Sequence, residues 1–471
     1  MTLDLGTGTL GANPNPTDWR SVPLDEAAAA ALMGTASLVI NPEAGFYATR
    51  NATDMAGGVQ YPSLAGLVST QRNSQARDFG WSLRSGGQQG QGFETAANLP
   101  RVGARGCLIE PIGTNGMSNP RGEGAPDHWV IQDQGGASLT FEGSGVAGGK
   151  VYTEWLWAGA PTGDARIVLE SANGVPAQSG QTWTISAGVQ IIAGSLSNME
   201  GLLWRLYERD ETASPTLSAI YDGPVFRPDH VPRGQIFNAT LNESNTTHVQ
   251  PYLQLERGAH SGPVNIRFRL YAPQLEQSAY ASSAILPDIG VRGAATRDKD
   301  IITLPVGNWL ALDGVTVMAR FSDMRRNPDE GRQNMWSLDD GTFNNILNCY
   351  VNSAGLGLFR ARNAGGSEEF SGLSFGTVPE TDEEVTVVSA FGADNVYVSS
   401  SLGAQDTDSA LSVAMLNAAT TLRLGADPAG RPLNGYLREL RLWPYRLSDA
   451  DCDRLSGLTP AAAGANLLET V

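Results

Sequence analysis

Histidine, cysteine and lysine are all scarce in this chain of 471 residues. The four histidines, His128, His230, His248 and His260, form no HExxH and no pair at metal-ligand spacing. That excludes the common zinc-hydrolase pattern. Three cysteines, Cys107, Cys349 and Cys452, are odd in number and far apart. They make neither a disulfide framework nor a zinc site, and are expected as reduced, buried thiols of a protein folded in a bacterial-type cytoplasm. No window approaches the roughly 18 uninterrupted apolar residues of a membrane-spanning helix. The start, MTLDLGTGTLGANPNPTDW, has no charged n-region and no apolar h-region, so no signal peptide is expected. Positive charge is also short. With 32 Lys and Arg against 49 Asp and Glu, the net charge is -17. This argues against nucleic-acid binding and against adhesion to an anionic membrane, both of which need clustered basic residues.

What the chain does have is turns and alternation. Its 55 glycines and 26 prolines suit many short strands joined by tight connections. KVYTEWLWAG puts Val151, Thr153, Trp155 and Trp157 on one side of a strand and Tyr152, Glu154 and Leu156 on the other. In VNIRFRLYAPQLE, Val264, Ile266, Phe268 and Leu270 alternate with Asn265, Arg267, Arg269 and Tyr271. One face is apolar and one polar, the pattern of a sandwich strand with one side in water. QTWTISAGVQI, GLLWRLYERD, SAIYDGPVF and HVQPYLQLE repeat this at the spacing of all-β sandwiches. VTVVSAFGADNVYVS predicts a hairpin turning at Gly392–Asn395. RLSDADCDRL predicts a short helix with Ser448 as N-cap and Asp451 three residues on. LDEAAAAALMG, residues 24–34, predicts another near the start. Three sections follow: 1–106, 107–286 and 287–471.

Several of these segments resemble tail, fibre and spike proteins of tailed phages and gene transfer agents. FETAANLPRVGARGCLIEPIGTN is similar to a connector there, in the residues Ala97–Arg101, Gly106–Glu110 and Thr114–Asn115. APQLEQSAYASSAILP, 272–287, resembles the strand closing a carbohydrate-binding-like jelly roll, and AATRDKDIITLP the passage to the next domain. LRLGADPAGRPLNGYLRELRLWPYRLSDADCDRL resembles the end of a concanavalin A/laminin G-like lectin domain. The resemblance implies an all-β chain of two tandem antiparallel β-sandwiches after a small anchoring region. Residues 1–106 would attach to the particle, 107–286 would be the jelly roll, and 287–471 the lectin-like domain with a short tail. A head spike or tail fibre is implied, made in the bacterial cytoplasm, released by lysis, and exposed on a virion or phage-like particle. Its partners would be other capsid or tail proteins, host capsular polysaccharide, and copies of itself in a homo-oligomer.

Sugar recognition needs a flat aromatic for the C–H face of a pyranose and short polar groups for its hydroxyls. Candidates in the middle section are Trp155, Trp157, Trp204, Arg205, Tyr207 and Tyr252, with Trp204 foremost. Aromatics on alternating strands serve equally as core, and Trp155 and Trp157 share one face. RQNMWSLDDGTFNN adds Trp336, Asp339 and Asn344 around a Gly turn. This run suits sugar hydroxyls, a structural Ca2+ ion, or an ordinary Asp/Asn-rich hairpin. It lacks EF-hand spacing, so no metal ligand is named and no other cofactor is expected. The nearest approach to the ExDxxE carboxylates of concanavalin-like glucanases is Glu208-Arg-Asp210, with Ala213 where the second Glu belongs. No catalytic residue is therefore assigned. The alternatives to an adhesin are a polysaccharide depolymerase of the same particle and a non-binding structural base protein. NATLNESNTTH, 238–248, reads as turn residues rather than glycosylation sites.

Overall fold

The computed structural model describes residues 35–457, apart from 54, 56–57, 79–92, 104, 124–128, 134, 171–173, 211–216, 327–330, 371, 381–382 and 410–412. The helix expected over 24–34, the strand expected beyond Asp78, His128, Ala213 and the closing tail lie outside the described residues. Among the described residues the architecture is all-β, with antiparallel sheets and only short helices. It divides into two units, one of residues 1–73, 97–111 and 299–471, the other of 74–96 and 112–298.

The second unit is a two-sheet sandwich. Its six-stranded sheet runs in the order Val130–Gln132, Ala165–Val168, His248–Glu256, Gly201–Arg209, Leu217–Asp222, with Val175–Pro176 also paired to His248–Glu256. Its five-stranded sheet runs Ala137–Ala147, Lys150–Gly159, Val264–Glu276, Thr182–Ser195, Arg233–Thr240. The expected alternation decides what goes inside. Val264, Ile266, Phe268 and Leu270 are buried in one core with Trp155, Trp157, Trp183 and Trp204, while Asn265, Arg267 and Arg269 point out. The outer residues of this sheet form a charge ladder, with Arg267 on Glu142 at 2.8 Å and Arg269 on Glu154 at 2.9 Å. A polar lock closes the unit. Asn115 donates to the carbonyls of Pro273 and Ile285 and accepts from the Leu275 N–H. Glu276 accepts from Ser282, and Arg297 reaches Ser283. The Thr-Asn, Gln-Leu-Glu and Ala-Thr-Arg segments of the resemblance are thus one interlocked closure of hydrogen-bonded buried groups.

The first unit is a larger sandwich. One sheet includes Leu38–Asn41, Gly435–Trp443, Gly314–Ser322, Glu384–Gly392 and Val396–Ser400; the other includes Leu356–Arg362, Ile346–Asn352, Arg332–Asp339, Thr421–Leu424, Ile301–Pro305 and Ser69–Gln71. The hairpin predicted at Gly392–Asn395 is present, with the Gly392 N–H on the Asn395 carbonyl. So is the helix Asp449–Ser456, capped by Ser448 at the Asp451 N–H and ended by Gly457 at φ 86°. Cys107, Cys349 and Cys452 are free and buried, and burial raises the Cys107 thiol to about 12.

The expected boundary at 106/107 does not hold. The described strands of residues 1–106 form no separate three-dimensional body. Leu38–Asn41 pairs with Gly435–Trp443, and Ser69–Gln71 with Ile301–Pro305. Leu38 and Ile40 are buried in the core of this unit, so the early strands complete sheets that the later ones leave open. The connector behaves likewise. Arg101–Gly103 and Gly106–Ile109 form a hairpin laid against Gly435–Trp443. Gly106 has φ +106°, and a Cβ there would meet the Leu437 carbonyl oxygen at 2.5 Å, so only glycine fits. Beneath it lies a buried charge network. Arg101 bridges Glu110 (2.6 Å) and Asp300, Arg72 holds Asp300 at 2.7 Å, and Arg325 holds Glu110 at 2.8 Å. Burial opposes the Arg101 charge, but the two carboxylates outweigh it and raise its pKa. The motif residues Arg101 and Glu110 are therefore internal struts of this unit.

Candidate functional site

On the six-stranded sheet of the second unit, side chains alternate across Gly201–Arg209 and His248–Glu256. Trp204, Leu206, Val249, Leu253 and Leu255 face the core. Arg205, Tyr207 and Arg209, with Gln250, Tyr252 and Gln254, take the other face by the period of two. The register sets Arg205 opposite Tyr252 and Tyr207 opposite Gln250. Tyr207 and Tyr252 stack with ring centroids 3.9 Å apart, over Val168.

Polar groups frame this pair. Arg209 donates to the Tyr252 hydroxyl at 2.8 Å, and that hydroxyl donates to Gln250 Oε1 at 2.7 Å. Gln254 Oε1 accepts from Arg166 Nε at 2.9 Å and from Arg205. Gln254 Nε2 donates to Asp164 at 2.9 Å. Arg205 also pairs with Asp222, whose side chain is 49% exposed. Burial works against the Arg205 charge, and the Asp222 pairing more than offsets this, so its pKa is raised. Burial likewise raises the Tyr252 phenol, against the pull of Arg209. The rings and the Gln250 and Gln254 amides are buried, so the accessible features are the guanidinium edges and the exposed Ile220 beside Tyr207. Such a face can donate several N–H groups to hydroxyls from rigid strands.

Of the residues expected from sequence, Arg205, Tyr207 and Tyr252 come together here. Trp155, Trp157 and Trp204 are core, each at most 1% exposed, and offer no ring to a ligand. Their strands carry aromatics on the inward side, where an indole buries the most apolar area. Trp336 is buried in the first unit. Asp339 is buried in an ion pair with Arg423 at 2.9 Å. Its run closes as a hairpin turn, with Asp340 accepting from Thr342 and Asn345, and Asn344 is exposed on that turn. Among the described residues no group of three or more His, Cys, Asp or Glu is placed to hold a metal ion. Glu208 anchors a loop, accepting from the Tyr221 hydroxyl (2.6 Å), the Glu243 N–H (2.9 Å) and Thr246. Burial and then this bond push Tyr221 to about 12. Arg166, Arg209, Gln250 and Gln254 were not singled out from the sequence. Their signal was the polar member of each alternation, as in Gln250-Pro-Tyr252-Leu-Gln254.

No family model and no curated protein matches the chain. Among solved structures, the CBM40 of Ruminococcus gnavus IT-sialidase bound to α2,3-sialyllactose is similar at 17% identity and TM-score 0.28, covering 31% of this chain and 84% of that one. NanB sialidase from Streptococcus pneumoniae is similar at 18% identity and TM-score 0.26, covering 30% and 24%. A CBM4 structure is similar at 14% identity and TM-score 0.22, covering 33% and 90%. Likeness at this level carries no inference about ligand.

Proposed function

We propose that this chain is a glycan-binding protein on the surface of a phage-like particle, a head spike or tail fibre that adheres to host capsular polysaccharide without cleaving it. The observation that carries the reading is the outward face of the six-stranded sheet. There Arg166, Arg205, Arg209 and Gln254 surround a stacked tyrosine pair on rigid strands. Binding is favoured over hydrolysis because the acid groups of this face are already committed, Asp164 and Glu256 to Gln254 and Asp222 to Arg205. The particle context rests on the resemblance of the connector and closing segments. A single face of this kind binds weakly, and a homo-oligomer would raise its avidity through effective concentration. The test is binding of the labelled full chain to capsulated and capsule-deficient cells, with released saccharide assayed in the same tubes. Capsule-dependent binding without release, reduced in Arg205→Ala, is expected. Equal binding to both cell types overturns the capsule reading, and saccharide release overturns the non-cleaving one.

A further inference from the structure

A second polar cluster lies on the first unit, on the three adjacent strands Arg332–Asp339, Ile346–Asn352 and Leu356–Arg362 of its seven-stranded sheet. Leu347, Cys349 and Val351 face the core, so Asn348 and Tyr350 face outward by the period of two. The Tyr350 ring is flanked by two guanidiniums, with Arg332 Cζ 5.0 Å and Arg360 Cζ 5.3 Å from its centroid. Arg360 is only 4% exposed, yet its Nε and Nη2 have no hydrogen-bond partner, and neither does Arg332 Nη1. Among the described residues, the neighbouring carboxylates are committed elsewhere, Glu368 to Arg362 at 3.2 Å and Asp427 to Arg431 at 2.6 Å. Burial lowers the pKa of Arg332, and the nearby Arg431 charge adds to this. Burial also lowers that of Arg360, against Tyr350, with Arg332 and Arg362 repelling it further. Both nevertheless stay charged near neutrality. In a chain of net charge -17, a buried guanidinium without an acid partner is a costly arrangement.

Buried N–H groups are ordinarily matched by acceptors. An oxyanion does so for guanidinium with two parallel charge-assisted bonds. The Tyr350 ring is buried beside the two arginines, so it offers no stacking surface for a sugar ring. What the cluster can recognise is a charged substituent. We infer that Arg332 and Arg360, braced on Tyr350, form a binding site for an oxyanion carried by an acidic saccharide, such as the carboxylate of a hexuronate. This site does not rest on the jelly-roll face, which is on the other unit.

The test is calorimetric titration of the full chain with a hexuronate oligosaccharide, a neutral oligosaccharide of equal length, and inorganic sulfate. The wild type is expected to bind the hexuronate and not the neutral sugar, with affinity falling as salt rises. Arg360→Met is expected to weaken hexuronate binding at least about tenfold. It should leave the unliganded Tm unchanged or higher, because an unpaired buried charge is replaced by an apolar side chain. Arg332→Gln checks the second donor with a milder change and is expected to weaken binding in the same direction. Binding of sulfate alone overturns the saccharide assignment. No anion binding, or unaltered hexuronate binding in Arg360→Met, overturns the site.

Discussion

Replacing Asp300 by alanine tests whether the connector is an internal strut. The carboxylate accepts from Arg72 at 2.7 Å, from Arg101, and from the Glu110 N–H at 2.9 Å, and the Arg72, Arg101 and Asp300 side chains are at most 1% exposed. Without it, Arg72 and Arg101 lose the carboxylate they share, while Arg101 and Arg325 keep Glu110. Breaking one buried pair by removing a partner costs about 3–5 kcal/mol, and here one carboxylate serves two arginines, which puts Asp300→Ala at the upper end. At roughly 2–4 °C per kcal/mol for a unit of this size, the midpoint falls by roughly 8–20 °C. Arg101→Met differs in charge balance. It leaves Arg72 with Asp300 and Arg325 with Glu110, two pairs still matched, so its cost is smaller, about 1–3 kcal/mol. Thermal unfolding of the full chain by calorimetry reads both, at low and high salt, because buried pairs are screened little. A midpoint within about 2 °C of wild type for Asp300→Ala, or a larger loss for Arg101→Met, refutes the reasoning.

Two further outcomes are expected. Trp204→Ala opens a cavity in the second unit's core and costs about 3–5 kcal/mol, whereas Arg205→Ala, whose partner Asp222 is half exposed, stays within about 1 kcal/mol; urea unfolding of both variants checks the ordering, and equal losses would contradict it. Burial lifts the Asp453 carboxyl above its ordinary range, against the Tyr397 hydroxyl that donates to it at 2.7 Å. Its folded pKa then exceeds the unfolded value, so its contribution to stability is fully present below about pH 3.9 and is lost as pH rises through the folded pKa. Wild type should therefore lose stability relative to Asp453→Asn over that rise, and a pH-independent difference in urea midpoints would count against the assignment.

By itself, the sequence determined the all-β class, the partition of Val264–Tyr271 into apolar and polar sides, the Gly392–Asn395 hairpin and the Ser448 helix cap. These follow from local periodicity and from turn and cap chemistry, which act over a few residues. It also brought Arg205, Tyr207 and Tyr252 forward as candidates, as aromatic and polar residues close together in sequence. Alternation does not say which face is inward. KVYTEWLWAG has large side chains on both sides, and only packing against the opposite sheet decided that Trp155 and Trp157 are core while Tyr152 lies outside with Arg269 above it. Tertiary structure alone joined Leu38 to Leu442 and Ile301 to Gln71, and so made the first unit discontinuous. It also gathered Arg72, Arg101, Glu110, Asp300 and Arg325 into one network, and Arg332 and Arg360 about Tyr350. Strand pairing over such separations depends on which edges and charges remain unmatched once the sheets assemble, and no local pattern encodes that.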